Sequence, residues 1–142
     1  IIQIIPYGIC FLSVALLTDI PDEKGDKIYG KKSFSLVFGR LTTNTISFIL
    51  VLISFCFGIY LNDPLLSIAT ICSIPFFLYA IFRNKDKDIL RAIRYPIFIL
   101  NFFTSTIYPY LFLFTLIIFY LSKYYYWHRF NLHYPTFLVS ND

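Results

Sequence analysis

The chain has 142 residues; 58% are hydrophobic, 21% aromatic and only 14% charged, and the formal net charge is +4. Soluble domains carry about 25% charged residues, so the composition excludes an ordinary soluble globular domain and points to a membrane protein. The positive balance is not a nucleic-acid signature, because the basic residues fall in short segments beside apolar runs.

The first predicted helix covers 1–18. It begins in mid-run, with no Met, no basic n-region and no small-residue cleavage site, so it does not read as a signal peptide. The expectation is the C-terminal part of a longer protein, whose N-terminal half would act with it. A polar loop follows at 19–40. Further helices are predicted at 43–61, 65–82 and 96–121, separated by the tight turn Asn62-Asp63-Pro64 and a charged loop at 83–95. Runs of this length suit a bilayer, which takes roughly 17–25 residues per helix, and they must satisfy their backbone internally as helices. Pro75 and Pro109 are expected to kink the helices that hold them. The fold class is therefore an all-α membrane protein with four transmembrane helices and a C-terminal tail at 122–142.

Ten of the twelve Lys and Arg residues lie in two segments: Lys24, Lys27, Lys31, Lys32 and Arg40 after the first helix, and Arg83, Lys85, Lys87, Arg91 and Arg94 after the third. Only Lys123 and Arg129 lie elsewhere. The positive-inside rule makes both rich segments cytoplasmic in a multi-pass protein and places the tail on the far side. Tyr124-Tyr125-Tyr126-Trp127 then reads as an interfacial aromatic belt. Cys10, Cys56 and Cys72 all lie in apolar runs and read as small packing residues rather than a zinc site or disulfide framework.

Half of the eight acidic residues are gathered in one run, Asp19-Ile-Pro-Asp22-Glu23-Lys-Gly-Asp26. Asp19, Asp22 and Asp26 stand at i, i+3 and i+7 and share a face if the run is helical. Pro21 and Gly25 point to a helix broken or restarted there. Like charges this close repel unless something neutralises them. Hard carboxylate oxygens suit Mg²⁺, which binds through one or two carboxylates plus substrate phosphates. Lys27, Lys31 and Lys32 add point charges for a diphosphate. The same run also reads as a solvated acidic loop.

The stretch from Asp19 to Gly39 resembles the second aspartate-rich motif of the UbiA superfamily of intramembrane prenyltransferases. The resemblance rests on the D-x-x-D-x-x-x-D spacing, Gly25-Asp26 followed by Lys27, Gly30, and the closing Ser33-Phe-Ser-Leu-Val-Phe-Gly39. Asp-Ile-Pro-Asp and Ser-Phe-Ser look most like the homogentisate prenyltransferase and chlorophyll synthase branch. The resemblance implies the C-terminal portion of a nine-helix bundle that moves a prenyl group from a prenyl diphosphate to a lipophilic acceptor, often an aromatic ring or quinone precursor. It implies Mg²⁺ as cofactor, Asp22 and Asp26 as the core metal-binding and catalytic pair, and Asp19 as a supporting metal ligand. Lys27 and Lys31 become diphosphate contacts, with Lys27 standing where the family often has Arg. The family's first aspartate-rich motif is absent, which implies that this chain alone is inactive.

Other polar residues carry weaker signals. Arg91 and Arg94 read either as substrate contacts or as topology-setting charges. Asn101 reads as a cavity residue or as a hydrogen bond between helices. Asp86 and Asp88 are expected to pair with their basic neighbours, and His128 and His133 lack the partners of a metal site. Two other classes remain: a membrane scaffold with a structural acidic loop, and a divalent-cation transporter. The transporter would need ionisable residues within its helices, and the predicted helices hold no charge.

Overall fold

The computed structural model describes residues 2–133, which are helical with short connections and contain no strand. Six helices follow in order: α1 (Ile5–Ile28), α2 (Phe34–Phe38), α3 (Arg40–Tyr60), α4 (Pro64–Arg83), α5 (Asp86–Ile107) and α6 (Pro109–Phe130). Of these, α1, α3 and α4 are long and apolar enough to cross a membrane. The chain divides into two compact units, one reaching to Leu100 and one beginning at Asn101.

In the first unit, α3 packs against both α1 and α4, and the short α2 contacts α1 and α3. The apolar core is made by Val14, Leu17 and Ile20 of α1, Val51 of α3, Phe77 and Ala80 of α4, and Ile89 and Ala92 of α5. Many of the other buried side chains are small and polar: Ser13, Thr43, Asn44, Ser47, Ser54, Thr70 and Ser73. Large apolar side chains such as Phe11, Phe57 and Phe82 face outward instead. This is the arrangement a bilayer favours, since lipid solvates the outer apolar groups and small residues let helix backbones approach. Several of the small hydroxyls close back on their own helix, as Thr70 does on Leu66 O and Ser73 on Ala69 O. Others bridge helices. Ser54 Oγ donates to Pro6 O at 2.8 Å, and Asn44 Nδ2 donates to Ala80 O at 3.2 Å and to Asn84 Oδ1 at 3.3 Å.

Helix ends follow local chemistry. Pro6, Pro64 and Pro109 each sit in a first turn, where no amide donor is needed. Asp63 caps α4 by accepting from Leu66 N at 3.1 Å. Asn62, Asn84 and Asn131 take positive φ just beyond α3, α4 and α6, the left-handed closing position that Asn tolerates.

Three expected boundaries change. The first helix runs on to Ile28 through Pro21 and Gly25; burial of Ile20 and Asp26 outweighs the local cost of those two residues. The expected loop 83–95 is mostly α5, because Ile89, Ala92 and Pro96 recur at helical spacing and bury one face. The single helix expected at 96–121 is two helices. Pro109 lacks an amide and disfavours helical geometry in the residue before it, and Tyr108 stands at φ −124° and ψ 81°.

In the second unit no side chain of α6 is buried. Its aromatic run Tyr124–Trp127 continues the helix rather than forming a tail, while the rest of the expected tail, 134–142, lies outside the described residues.

Candidate functional site

The acidic run lies in the last three turns of α1, so its carboxylates are set by helix geometry. A helix rises about 1.5 Å per residue, which separates Asp19 from Asp26 by about 10 Å along the axis. Among the described residues no group of three or more His, Cys, Asp or Glu side chains comes together to hold a metal ion.

The three carboxylates have different surroundings. Asp19 is half-buried, and its Oδ2 accepts from Phe34 N at 3.0 Å. Its carbonyl accepts from Ser35 Oγ at 3.1 Å. Asp19 therefore fastens the first turn of α2 to α1, satisfying an amide that the helix itself leaves open. Asp22 is exposed. Asp26 is buried; its Oδ1 lies 3.4 Å from Lys31 Nζ, and its Oδ2 is buried with no hydrogen-bond partner. Asp22 and Asp26 are i and i+4, neighbours on one face. Both are hard oxygen donors, the class that Mg²⁺ takes together with phosphate oxygens.

Lys27, Lys31 and Lys32 surround the end of α1 and are exposed. Lys31 N also donates to Asp26 O at 2.9 Å, which holds the turn after α1 against the carboxylate. That turn depends on Gly30 at φ +68°, and the junction of α2 with α3 on Gly39 at φ +85°. Both positions suit a residue without Cβ, so both motif glycines have a backbone reason.

Arg91 and Arg94 are half-buried on α5. Arg91 Nη1 donates to Asp88 Oδ1 at 2.9 Å, and Arg83 Nε lies 3.2 Å from Asp88 Oδ2. The expected pairing of Asp88 with Arg83 is present; Asp86 pairs instead with Arg40. That pair places the start of α3 beside the start of α5, so the two basic segments meet at one end of the first unit. Asn101 belongs to the second unit, where it accepts from Thr115 Oγ1 at 3.3 Å.

Two residues matter more than the sequence suggested. Asp63 read only as a turn, yet it caps α4 and binds Tyr7; the signal was Asp-Pro just before an apolar run. Asp88 read as a surface charge, yet it is 3% exposed. Its signal was its place beside Ile89 at the start of the buried stripe.

Comparison with protein-family models, curated proteins and solved structures gives no match.

Proposed function

We propose that this chain is the C-terminal, membrane-embedded portion of a Mg²⁺-dependent prenyltransferase, acting with a segment that carries the first aspartate-rich motif. The observation that carries the reading is the run Asp19–Gly39, with its resemblance to the second such motif of the UbiA superfamily. The exposed Asp22 and the orphaned oxygen of Asp26 support it. Mg²⁺ held there would supply positive charge to the diphosphate leaving group. Asp22 and Asp26 hold the ion, Asp19 positions the run by fastening α2, and Lys27, Lys31 and Lys32 attract the diphosphate. In the transfer, the allylic C–O bond breaks and the diphosphate leaves with the electron pair. A carbon of a lipophilic acceptor, such as an aromatic ring or quinone precursor, bonds to the prenyl carbon and then loses a proton. The proposed placement is a multi-pass bundle with the acidic run facing the cytoplasm, α5 and α6 completing the membrane part of a nine-helix fold.

The test uses membranes holding the complete parent protein. Label from geranylgeranyl diphosphate is followed into lipid, with and without Mg²⁺, for the wild type and Asp22→Asn/Asp26→Asn. The expected result is transfer that requires both the metal and the two carboxylates. Transfer that persists in the double variant would overturn the reading.

A second reading, a membrane scaffold, is favoured by the internal use of two carboxylates: Asp19 binds Phe34 N, and Asp26 pairs with Lys31. It expects no transfer with any donor and a folded, inserted protein in the double variant.

A further inference from the structure

A second polar site lies between α4 and α5, apart from the acidic run. A cavity of about 400 Å³ is lined by Phe76, Tyr79 and Arg83 of α4 and by Asp88, Arg91 and Tyr95 of α5. Its volume falls in the range of about 300–1,000 Å³ typical of small-molecule pockets. None of the carboxylates or lysines of 19–32 lines it.

The charges in this cavity are built rather than scattered. Asp88 is 3% exposed and stands between two guanidiniums, 2.9 Å from Arg91 Nη1 and 3.2 Å from Arg83 Nε. One carboxylate cannot balance two arginines, so the cluster keeps a net positive charge. A guanidinium has five N–H donors in a planar fork, and each arginine contacts Asp88 through one nitrogen. The side chains of Arg83 and Arg91 stay 49% and 43% exposed. Asp88 thus fastens Arg91 by a hydrogen bond and Arg83 by charge alone, since its Oδ2 has no hydrogen-bond partner, and both arginines keep donors available at the cavity. Planar forks of this kind match phosphate oxygens.

The other wall is aromatic. Phe76 and Tyr95 meet edge to face with ring centroids 5.0 Å apart, and Tyr79 is exposed beside them. Arg83 is the last residue of α4, a helix long and apolar enough to cross a membrane. A cationic rim at such a helix end, with aromatic faces below it, has the polarity of a headgroup boundary.

We infer that Arg83 and Arg91, held by Asp88, form a binding site for a phosphoryl group carried by an amphiphile, whose first carbons lie against Phe76, Tyr79 and Tyr95. The site is independent of the prenyltransferase reading, since it needs neither Asp22 nor Asp26. The phosphoryl group could come from a lipid headgroup or from a soluble diphosphate, and the experiment separates these sources.

The full chain is inserted into phosphatidylcholine nanodiscs containing phosphatidate, and lipid retained per chain is counted by native mass spectrometry. A parallel arm titrates inorganic diphosphate. Wild type is expected to retain phosphatidate over phosphatidylcholine. Arg83→Gln and Arg91→Gln should each weaken that retention about tenfold, the loss of one charge-assisted contact, and Lys123→Gln should not. Asp88→Asn should also weaken it severalfold, because the two guanidiniums lose the carboxylate that orients them while both of their charges remain. Should a Gln variant lose its helical circular dichroism, Arg91→Lys replaces it, with a severalfold loss expected because the fork is gone. Arginine-dependent binding of inorganic diphosphate without any preference for phosphatidate would overturn the amphiphile and leave a site for a soluble phosphoryl anion. Phosphatidate retention unchanged in the arginine variants, or lost equally in Lys123→Gln, overturns the inference.

Discussion

Tyr7 Oη donates a 2.7 Å hydrogen bond to Asp63 Oδ2, joining the start of α1 to the turn between α3 and α4. Asp63 also holds the start of α4: its other carboxylate oxygen accepts from Leu66 N, and its carbonyl from Ser67 Oγ. Tyr7→Phe should remove one hydrogen bond and cost about 1 kcal/mol. Asp63→Ala should cost more, about 1–2 kcal/mol, because the cap of α4 is lost as well. Denaturant unfolding in detergent micelles measures both, and equal losses would show that the cap contributes nothing.

A second prediction concerns the α3–α4 seam. A Cβ added to Gly58 would stand 2.8 Å from Ser67 Oγ and 3.3 Å from Ser67 N. Ser67 cannot simply turn away, because its hydroxyl donates to Asp63 O at 2.7 Å. Gly58→Ala should therefore destabilise by about 1–3 kcal/mol, the usual cost of overpacking. Adding Ser67→Ala should recover only part of this, since the backbone nitrogen remains close. Unfolding of the two variants in the same micelles decides it; full recovery would mean that only the hydroxyl obstructs.

The sequence made much of this legible, and the failures have physical causes. Apolar runs located α3 and α4 within a few residues, since nothing but a helix satisfies backbone groups there. Gly30 and Gly39 read only as motif positions within an expected loop, and the short α2 between their positive-φ turns went unseen. The end of α1 was misread because Pro21 and Gly25 are unfavourable only locally; tertiary contacts of Ile20, Asp26 and Asp19 keep the helix going. The first half of α5 was hidden by its charges, Asp86, Lys87, Asp88, Arg91 and Arg94, although its buried positions recur at helical spacing. At the acidic run, spacing showed which carboxylates share a face. It could not show that Asp19 faces an amide of α2, a partner 15 residues away.

Asp19 gives a third prediction, because its positioning role differs from a metal-binding one. Asp19→Asn keeps an oxygen for Phe34 N–H, whereas Asp19→Ala leaves that amide open. The alanine variant should lose about 1–2 kcal/mol of local stability, seen as roughly tenfold faster hydrogen exchange at Phe34. The asparagine variant should exchange like wild type. Under the proposed prenyltransferase reading, Asp19→Asn should retain most transfer activity while Asp22→Asn and Asp26→Asn abolish it. Loss of activity in Asp19→Asn with exchange unchanged would instead make Asp19 a metal ligand.

The last prediction is the orientation of the bundle. Arg40 pairs with Asp86, so the segments around Lys32 and Lys85 lie at one end of the first unit. Asn62, in the turn between α3 and α4, lies at the other end of those two helices. Because ten basic residues occupy the first end, the positive-inside rule assigns it to the cytoplasm. With Cys10, Cys56 and Cys72 replaced by Ala, single Lys32→Cys and Lys85→Cys should react together with an impermeant maleimide only after the membrane is opened. Asn62→Cys should react in intact cells. Labelling of Lys32→Cys and Asn62→Cys from the same face would mean that α3 does not cross the bilayer, and the acidic run would then lose its proposed place at a cytoplasmic boundary.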